Sequence, residues 1–108
     1  MSYDCYISKS DIQELFPEEI SDETWRKLVE EDVELHWLNE ENRRECYFRS
    51  SDKEETYFWF SDGRIVFGFP SNPHPLHMKK ILDIREALGC DVYGEDGRIL
   101  NELIESLK

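Results

Sequence analysis

The residues of this chain most able to do chemistry are two histidines that stand three positions apart, His74 and His77. A His-x-x-His spacing on a helix would bring both imidazoles near one face, where they could share a metal ion. Two imidazoles without a third ligand do not make a zinc site, and the zincin order His-Glu-x-x-His is absent from the sequence. Pro75 also lies between them and disturbs the helical geometry. The pair therefore stays an alternative, and we do not predict a metal here.

Two adjacent carboxylates, Glu95 and Asp96, form the second group of candidates, and they are flanked by Gly94 and Gly97. Carboxylate oxygens suit a divalent cation. The spaced Asp and Asn residues of a calcium loop are missing, however, and Gly-Glu-Asp-Gly is typical of an ordinary turn. Because no group of opposite role can be identified nearby, the sequence predicts neither a catalytic residue nor a cofactor.

The three cysteines, Cys5, Cys46 and Cys90, are odd in number, far apart and without a C-x-x-C spacing. Each stands in an apolar strand or at a helix end, so we expect small buried hydrophobic residues rather than ligands or nucleophiles. The sequence begins without a signal-peptide pattern and has no run of roughly 20 apolar residues that would span a bilayer. These features together predict a cytoplasmic protein.

Charge is the most unevenly distributed property of the chain. There are 25 Asp and Glu residues against 13 Lys and Arg, a net charge of −12 at pH 7. Seventeen of the acidic residues and seven of the basic ones lie in residues 1–55, which gives −10 there and −2 in residues 56–108. Such a field repels nucleic acid and anionic membranes and attracts basic protein surfaces. We therefore expect a basic protein partner, with no direct nucleic-acid or membrane binding.

Length and hydrophobic patterning predict one α+β domain over residues 1–108. Period-two patterns predict strands at residues 3–8, 34–38, 44–49, 56–60, 64–69 and 90–93. Helices are expected at residues 11–16, from Ser21 onward with Val33 on the apolar face, from Pro73 to Leu88, and at residues 99–107. Four consecutive strands with short turns form an antiparallel meander, which we expect to pack against the helices in two layers. The aromatic run 57–60 fits a central strand covered on both faces or one with an exposed aromatic face.

The acidic residues of the first half fall where the first long helix enters the meander and in the first two turns of that meander. Aromatic residues supply the desolvated centre of an interface, while charges at its rim set the association rate and the choice of partner. The predicted partner-binding residues are Glu30, Glu31, Asp32, Glu34, Trp37, Glu40, Glu41, Glu54, Glu55 and Trp59. Asp52 belongs to the same acidic group.

In overall character the chain resembles small bacterial immunity proteins, which are acidic, cytosolic α+β proteins of about a hundred residues with clustered Trp and Tyr. The resemblance implies a non-enzymatic inhibitor that occludes a basic partner such as a toxin or a nuclease, and it assigns no role to a particular residue. Two alternatives stay open: a phage- or plasmid-type modulator that mimics DNA and blocks a DNA-binding host enzyme, and a small metal-dependent enzyme or ligand-binding domain. The sequence leaves the oligomeric state open.

Overall fold

The computed structural model of this protein describes residues 3–11, 13–50, 54–70 and 73–108. Six strands and three helices lie within these ranges. In chain order they are β1 (Tyr3–Ser8), α1 (Asp22–Glu31), β2 (Leu35–Trp37), β3 (Glu45–Arg49), β4 (Glu55–Ser61), β5 (Arg64–Phe69), α2 (Pro75–Leu88), β6 (Asp91–Gly94) and α3 (Asn101–Leu107).

The strands form one antiparallel sheet in the order β2-β3-β4-β5-β1-β6. Strands β2 to β5 are the predicted meander, and β1 lies between β5 and β6, so the predicted α+β fold is confirmed. Each predicted strand lies within one residue of an observed strand, while α3 begins two residues later than predicted.

The helices cover one face of the sheet, because alternate strand residues supply a continuous apolar surface there. Phe58 of β4 and its β5 partner Phe67 are both fully buried on that side. On the other side of the same strand Tyr57 is 40% exposed and Trp59 is partly exposed. The aromatic run 57–60 thus belongs to a central strand with one exposed aromatic face.

The β4–β5 hairpin closes through the two residues Asp62 and Gly63, whose φ angles of 52° and 77° are both positive. Ser61 pairs directly with Arg64 across this turn. Positive φ at both central positions is the geometry that matches the right-handed twist of a hairpin. The link Ser61-Asp62-Gly63 in the sequence predicts a tight hairpin turn with a bulge beside Gly63; the tight turn is confirmed, and the bulge is absent.

Helix α1 begins where the sequence predicted and ends earlier. The Ser21 hydroxyl caps it by accepting a hydrogen bond from the Thr24 amide at 3.1 Å. At the other end the Asp32 amide bonds to the carbonyls of Leu28 and Val29, and Asp32 itself is extended. Val33 is consequently outside the helix and 89% exposed, so its expected place on the apolar face is wrong.

Helix α2 begins at Pro75, two residues after the predicted start at Pro73. A proline disfavours helical geometry in the residue before it, and His74 is indeed extended, with φ −96° and ψ 134°. Asn72, which before Pro73 resembles a helix cap in the sequence, lies outside the described residues. The predicted end is confirmed, since Gly89 takes the left-handed conformation after Leu88. Among the helices described, none is long and apolar enough to cross a membrane.

The short helix predicted at residues 11–16 does not form in the described part of that segment. The Asp11 carboxylate accepts the Gln13 amide at 2.9 Å, and the Asp11 carbonyl accepts the Glu14 amide at 3.1 Å. This local bonding by an aspartate competes with a helix, and Pro17 prevents its extension. Leu15 and Phe16 are left 90% and 93% exposed.

Candidate functional site

The two edges of the sheet differ in how far other parts of the chain cover them. Beside β6, the Gly94 amide donates to the Arg98 carbonyl, the Leu100 amide donates to the Val92 carbonyl, and Tyr93 bridges Ile99. Strand β2 forms the opposite edge and pairs with β3 alone. An uncovered edge presents backbone groups to which another chain can bind.

A cleft of about 450 Å³ lies beside this edge, and we call it the β2-edge cleft. It is bounded by the end of α1, the link to β2, β2 itself and the β2–β3 loop. Its apolar lining is Val29, Val33 and Leu35, and its polar or aromatic lining is Glu30, Asp32, His36, Trp37, Glu40 and Arg43.

Trp37 is held in the cleft by the core behind it. Its ring meets Trp25 edge to face, with centroids 6.4 Å apart and planes at 84°. Trp25 is fully buried and donates its indole N–H to the Arg44 carbonyl at 3.2 Å. Trp37 is therefore a rigid, half-buried side of the cleft rather than a freely exposed ring.

The cleft carries more negative than positive charge. Glu30, Asp32 and Glu40 line it together with one guanidinium, that of Arg43. Arg43 bonds to the Glu30 carboxylate at 2.8 Å and to the Glu40 backbone carbonyl at 3.1 Å, so its charge is already engaged within the protein. The Glu40 carboxylate has no such partner among the described residues, which leaves it available to an incoming cation.

A second cavity, of about 710 Å³, lies on the other side of the link between α1 and β2. At its base the ammonium group of Lys80 bonds to Asp32 at 3.0 Å and to Glu34 at 2.6 Å, and Lys80 is 5% exposed. Burial alone would lower the pKa of Lys80, but the bonds to Glu34 and Asp32 outweigh it and raise that pKa. These two carboxylates thus act inside the protein, joining α2 to the link.

The ten predicted partner-binding residues are divided among several surfaces. Glu30, Asp32, Trp37 and Glu40 come together in the β2-edge cleft. Glu31 and Glu34 line the second cavity, that of about 710 Å³. Glu41 and Glu54 are exposed; Glu41 precedes β3 in the sequence, and Glu54 follows it. Glu55 and Trp59 lie on the helix-free face of the sheet, and Asp52 is outside the described residues. Whether these residues bind a partner stays a prediction.

The helix-free face of the sheet has shallow depressions around Trp59. Two shallow depressions of about 320 and 340 Å³ include Trp59 in their walls. Nearby, Glu55 is bonded to Arg49 and accepts a hydrogen bond from the Tyr57 hydroxyl. These bonds, from Tyr57 first and Arg49 second, lower the pKa of Glu55. Its charge is therefore partly neutralised within the face.

The histidine pair serves the fold. His74 caps α2 by accepting the Leu76 amide at 3.1 Å through Nδ1. His77 is 3% exposed, is hydrogen-bonded through Nδ1 to the Thr56 hydroxyl, and lies 5.0 Å from the Phe48 ring. Across residues 3–11, 13–50, 54–70 and 73–108, no three His, Cys, Asp or Glu side chains are grouped to hold a metal ion.

His77 should make the stability of the protein depend on pH. Burial and the neighbouring His74 lower its pKa, while the Glu54 charge opposes them. As the pH falls through the unfolded-state value of about 6.5, the unfolded chain takes up a proton that folded His77 resists, so stability falls. We expect H77Q to lose part of the stability change measured by urea unfolding between pH 7.5 and 5.5. H36Q, which alters the exposed His36, should keep the full change, and identical curves for both variants would contradict the assignment.

Glu95 and Asp96 form the predicted turn; the Asp96 carboxylate bonds within the turn, and the Glu95 carboxylate joins it to β1. Glu95 accepts the Asp4 amide at 2.9 Å, and Asp96 accepts the Arg98 amide at 3.0 Å. The three cysteines are buried as predicted. Burial raises the pKa of Cys5 and Cys46 to about 12 and that of Cys90 to about 11, so the thiols stay protonated near neutral pH.

Sequence reasoning missed the apolar lining of the cleft and two of its polar residues, His36 and Arg43. The position of His36 between Leu35 and Trp37 predicts a half-exposed histidine in a strand. His36 is exposed, and its place at an open edge follows from the strand order. Arg43 has a φ of 49°, an uncommon conformation for arginine that turns the loop back toward α1. The run of asparagines and acids around it was the available signal for a tight turn.

Comparison of the chain with protein-family models, with curated proteins and with solved structures gives no match in any of the three.

Proposed function

We propose that this protein is an acidic, non-enzymatic binding module that docks a basic partner protein at the β2-edge cleft. The observation that carries the proposal is the meeting of the exposed Glu40 carboxylate, which has no ion pair among the described residues, with a rigid Trp37 beside an uncovered sheet edge. Partly buried aromatic rings contribute most of the affinity of an interface, and the surrounding charges speed the encounter. An inhibitor of the immunity type, which covers a basic site on a toxin or nuclease, is the form of this function that we favour.

The charge distribution supports a basic partner over other classes of ligand. Residues 1–55 carry a net charge of −10, and the cleft is built from this half of the chain. Long-range attraction between opposite charges raises association rates and fades as salt shortens the Debye length from about 10 Å at 0.1 M to about 3 Å at 1 M. Binding to a basic surface should therefore depend steeply on ionic strength.

The proposal can be tested with E40K in the cleft and E102K on α3 as its matched control. Both variants change the net charge by the same amount, and both carboxylates are exposed and free of ion pairs among the described residues. A partner purified from the native host on the immobilised protein should bind E40K about tenfold more weakly in surface plasmon resonance, mainly through slower association. E102K should bind nearly as well as the wild type.

Equal losses for the two variants would show that net charge acts without a localised site. An association rate that ignored salt between about 0.05 and 0.5 M would contradict electrostatic docking altogether. If the purified partner bound DNA and this protein competed with that DNA, the DNA-mimic form of the function would replace occlusion of a catalytic centre.

A further inference from the structure

We infer that the partner contributes an extended segment, with basic and apolar residues in alternation, that adds to the sheet as a strand beside β2. The inference rests on the proposed function and specifies how the β2-edge cleft would be filled. Three observations lead to it: the direction of the backbone groups of β2, the apolar and charged lining of the cleft, and the net charge of the chain.

The hydrogen-bond pattern fixes which backbone groups face outward. Leu38 donates to the Glu45 carbonyl at 2.9 Å, and the same register pairs His36 with Tyr47 and Trp37 with Cys46. In an antiparallel pair, bonded and non-bonded positions alternate. His36 therefore bonds toward β3, while the N–H and C=O groups of Leu35 and Trp37 point to the free edge.

The neighbouring pair of strands gives the same result independently. Phe60 donates to the Arg44 carbonyl and Ser50 donates to the Glu54 carbonyl, both at 3.0 Å. In the β3–β4 register these bonds turn the backbone groups of Cys46 toward β4. Cys46 stands opposite Trp37, so the Trp37 backbone groups must point away from the sheet.

One of the backbone groups of β2 that point to the free edge already has a hydrogen-bond partner, and the remaining three could bind an added strand. The Leu35 amide donates to the Asp32 carbonyl at 3.1 Å. The Trp37 N–H, the Trp37 C=O and the Leu35 C=O have no backbone partner within the described ranges. One antiparallel strand could pair with all three, which is the mode of recognition known as β-strand addition.

The lining of the cleft indicates the chemistry of that strand. Side chains on one of its faces would meet Leu35 and Trp37, which favours apolar residues there. The alternate positions point to the opposite face, and there the net charge of −10 carried by residues 1–55 favours lysine or arginine side chains. Alternation is the natural period of a strand, so one segment can satisfy both requirements.

The same charges argue against a second copy of this chain as the occupant. A net charge of −12 repels another copy, and pairing β2 with β2 would bring two sets of cleft carboxylates together. Charged residues and short length are the means by which edge strands avoid self-association. Pairing of β2 with the β2 strand of a second copy is thus disfavoured, whereas pairing with a basic strand is favoured.

The test uses the full chain and three synthetic peptides. The first is an acetylated and amidated (Val-Lys)₃ hexapeptide, the second is the (Val-Glu)₃ counterpart, and the third is (Val-Lys)₃ with its alternate amides N-methylated. We expect (Val-Lys)₃ to shift the backbone amide resonances of His36, Trp37 and Leu38 in ¹H–¹⁵N spectra. The other two peptides should bind at least about tenfold more weakly, because one repels the carboxylates and the other lacks the amide donors.

The outcomes separate this inference from the function on which it rests. Equal binding of the N-methylated peptide, with E40K still weakening it, would overturn strand addition and leave charge-directed docking in place. Shifts confined to the face around Trp59 would place the site elsewhere and overturn both. Concentration-dependent dimerisation through β2, measured by sedimentation equilibrium, would assign the edge to a second copy and also overturn the inference.

Discussion

Replacing Trp25 with alanine is expected to lower the free energy of unfolding by about 3–5 kcal/mol, the usual cost of removing a large buried aromatic side chain. Trp25 is fully buried, packs edge to face on Trp37, and bonds to the Arg44 carbonyl. For a domain of this size, such a loss corresponds to a fall in Tm of roughly 20 °C. Urea and thermal unfolding followed by circular dichroism measure both quantities.

The matched control is W25F, which keeps an aromatic ring and gives up the indole N–H. It should cost clearly less than W25A, because most of the packing is retained while the bond to Arg44 is lost. A loss below about 1 kcal/mol for W25A would mean that Trp25 is not part of the core. Since Trp37 rests on residue 25, W25A should emit fluorescence at longer wavelength than W25F before unfolding begins, because both variants lack Trp25 and keep Trp37 and Trp59.

The second large effect is expected from the double variant D32N/E34Q, which leaves the ammonium group of Lys80 buried without a counter-charge. Lys80 is 5% exposed and bonds to both carboxylates. Removing the partners of a buried charge commonly costs about 3–5 kcal/mol, and the partial exposure of Asp32 and Glu34 reduces our expectation to about 2–3 kcal/mol. Urea unfolding at pH 7 is the measurement.

The pH dependence of this loss has a definite sign. In the wild type the pKa of Lys80 is raised, so its contribution to stability is complete below the unfolded value of about 10.4 and disappears as the pH rises through the folded value. In the double variant the two carboxylates are absent, and burial lowers the pKa of Lys80. The cost of burying an unpaired ammonium group disappears once Lys80 loses its proton. The difference between the two proteins should therefore shrink toward alkaline pH.

E31Q serves as the control for the double variant. Glu31 lines the same cavity as Lys80 but is exposed and has no ion pair among the described residues. Its replacement should change stability by less than about 0.5 kcal/mol. A similar loss for E31Q and D32N/E34Q would show that negative charge at the end of α1 matters in general, and would contradict a specific role for Lys80.

Local rules predicted the elements of this fold because their causes lie within a few residues of each other. Ser21 caps α1 through an amide three residues away, and Gly89 ends α2 through its own left-handed backbone. The strands were predicted by alternation of apolar residues, which exposes one face of each strand to the core. The errors, at Val33 and at residues 11–16, arose where an aspartate bonded to nearby backbone amides in place of continuing a helix.

The site was predicted less completely because its geometry depends on residues that are far apart in sequence. The sequence placed acidic residues at the end of α1 and in the β2–β3 loop, and three of them meet in one cleft together with Trp37. It could not show that Lys80, which is 48 residues from Asp32, would bind Asp32 and Glu34 within the protein. Nor could it show that Trp59 would face away from Trp37, since both stand in aromatic strands.

The sequence by itself determined the fold class, the buried cysteines and the uneven charge, since each depends on residue type and short-range periodicity. The tertiary structure decided which carboxylates remain available and which strand edge is open. Strand β1 inserts between β5 and β6, and the segment at residues 98–101 covers β6, so β2 is left as the uncovered edge. The packing of the whole chain selects this strand order, because only one arrangement of the strands buries the apolar faces of all of them together.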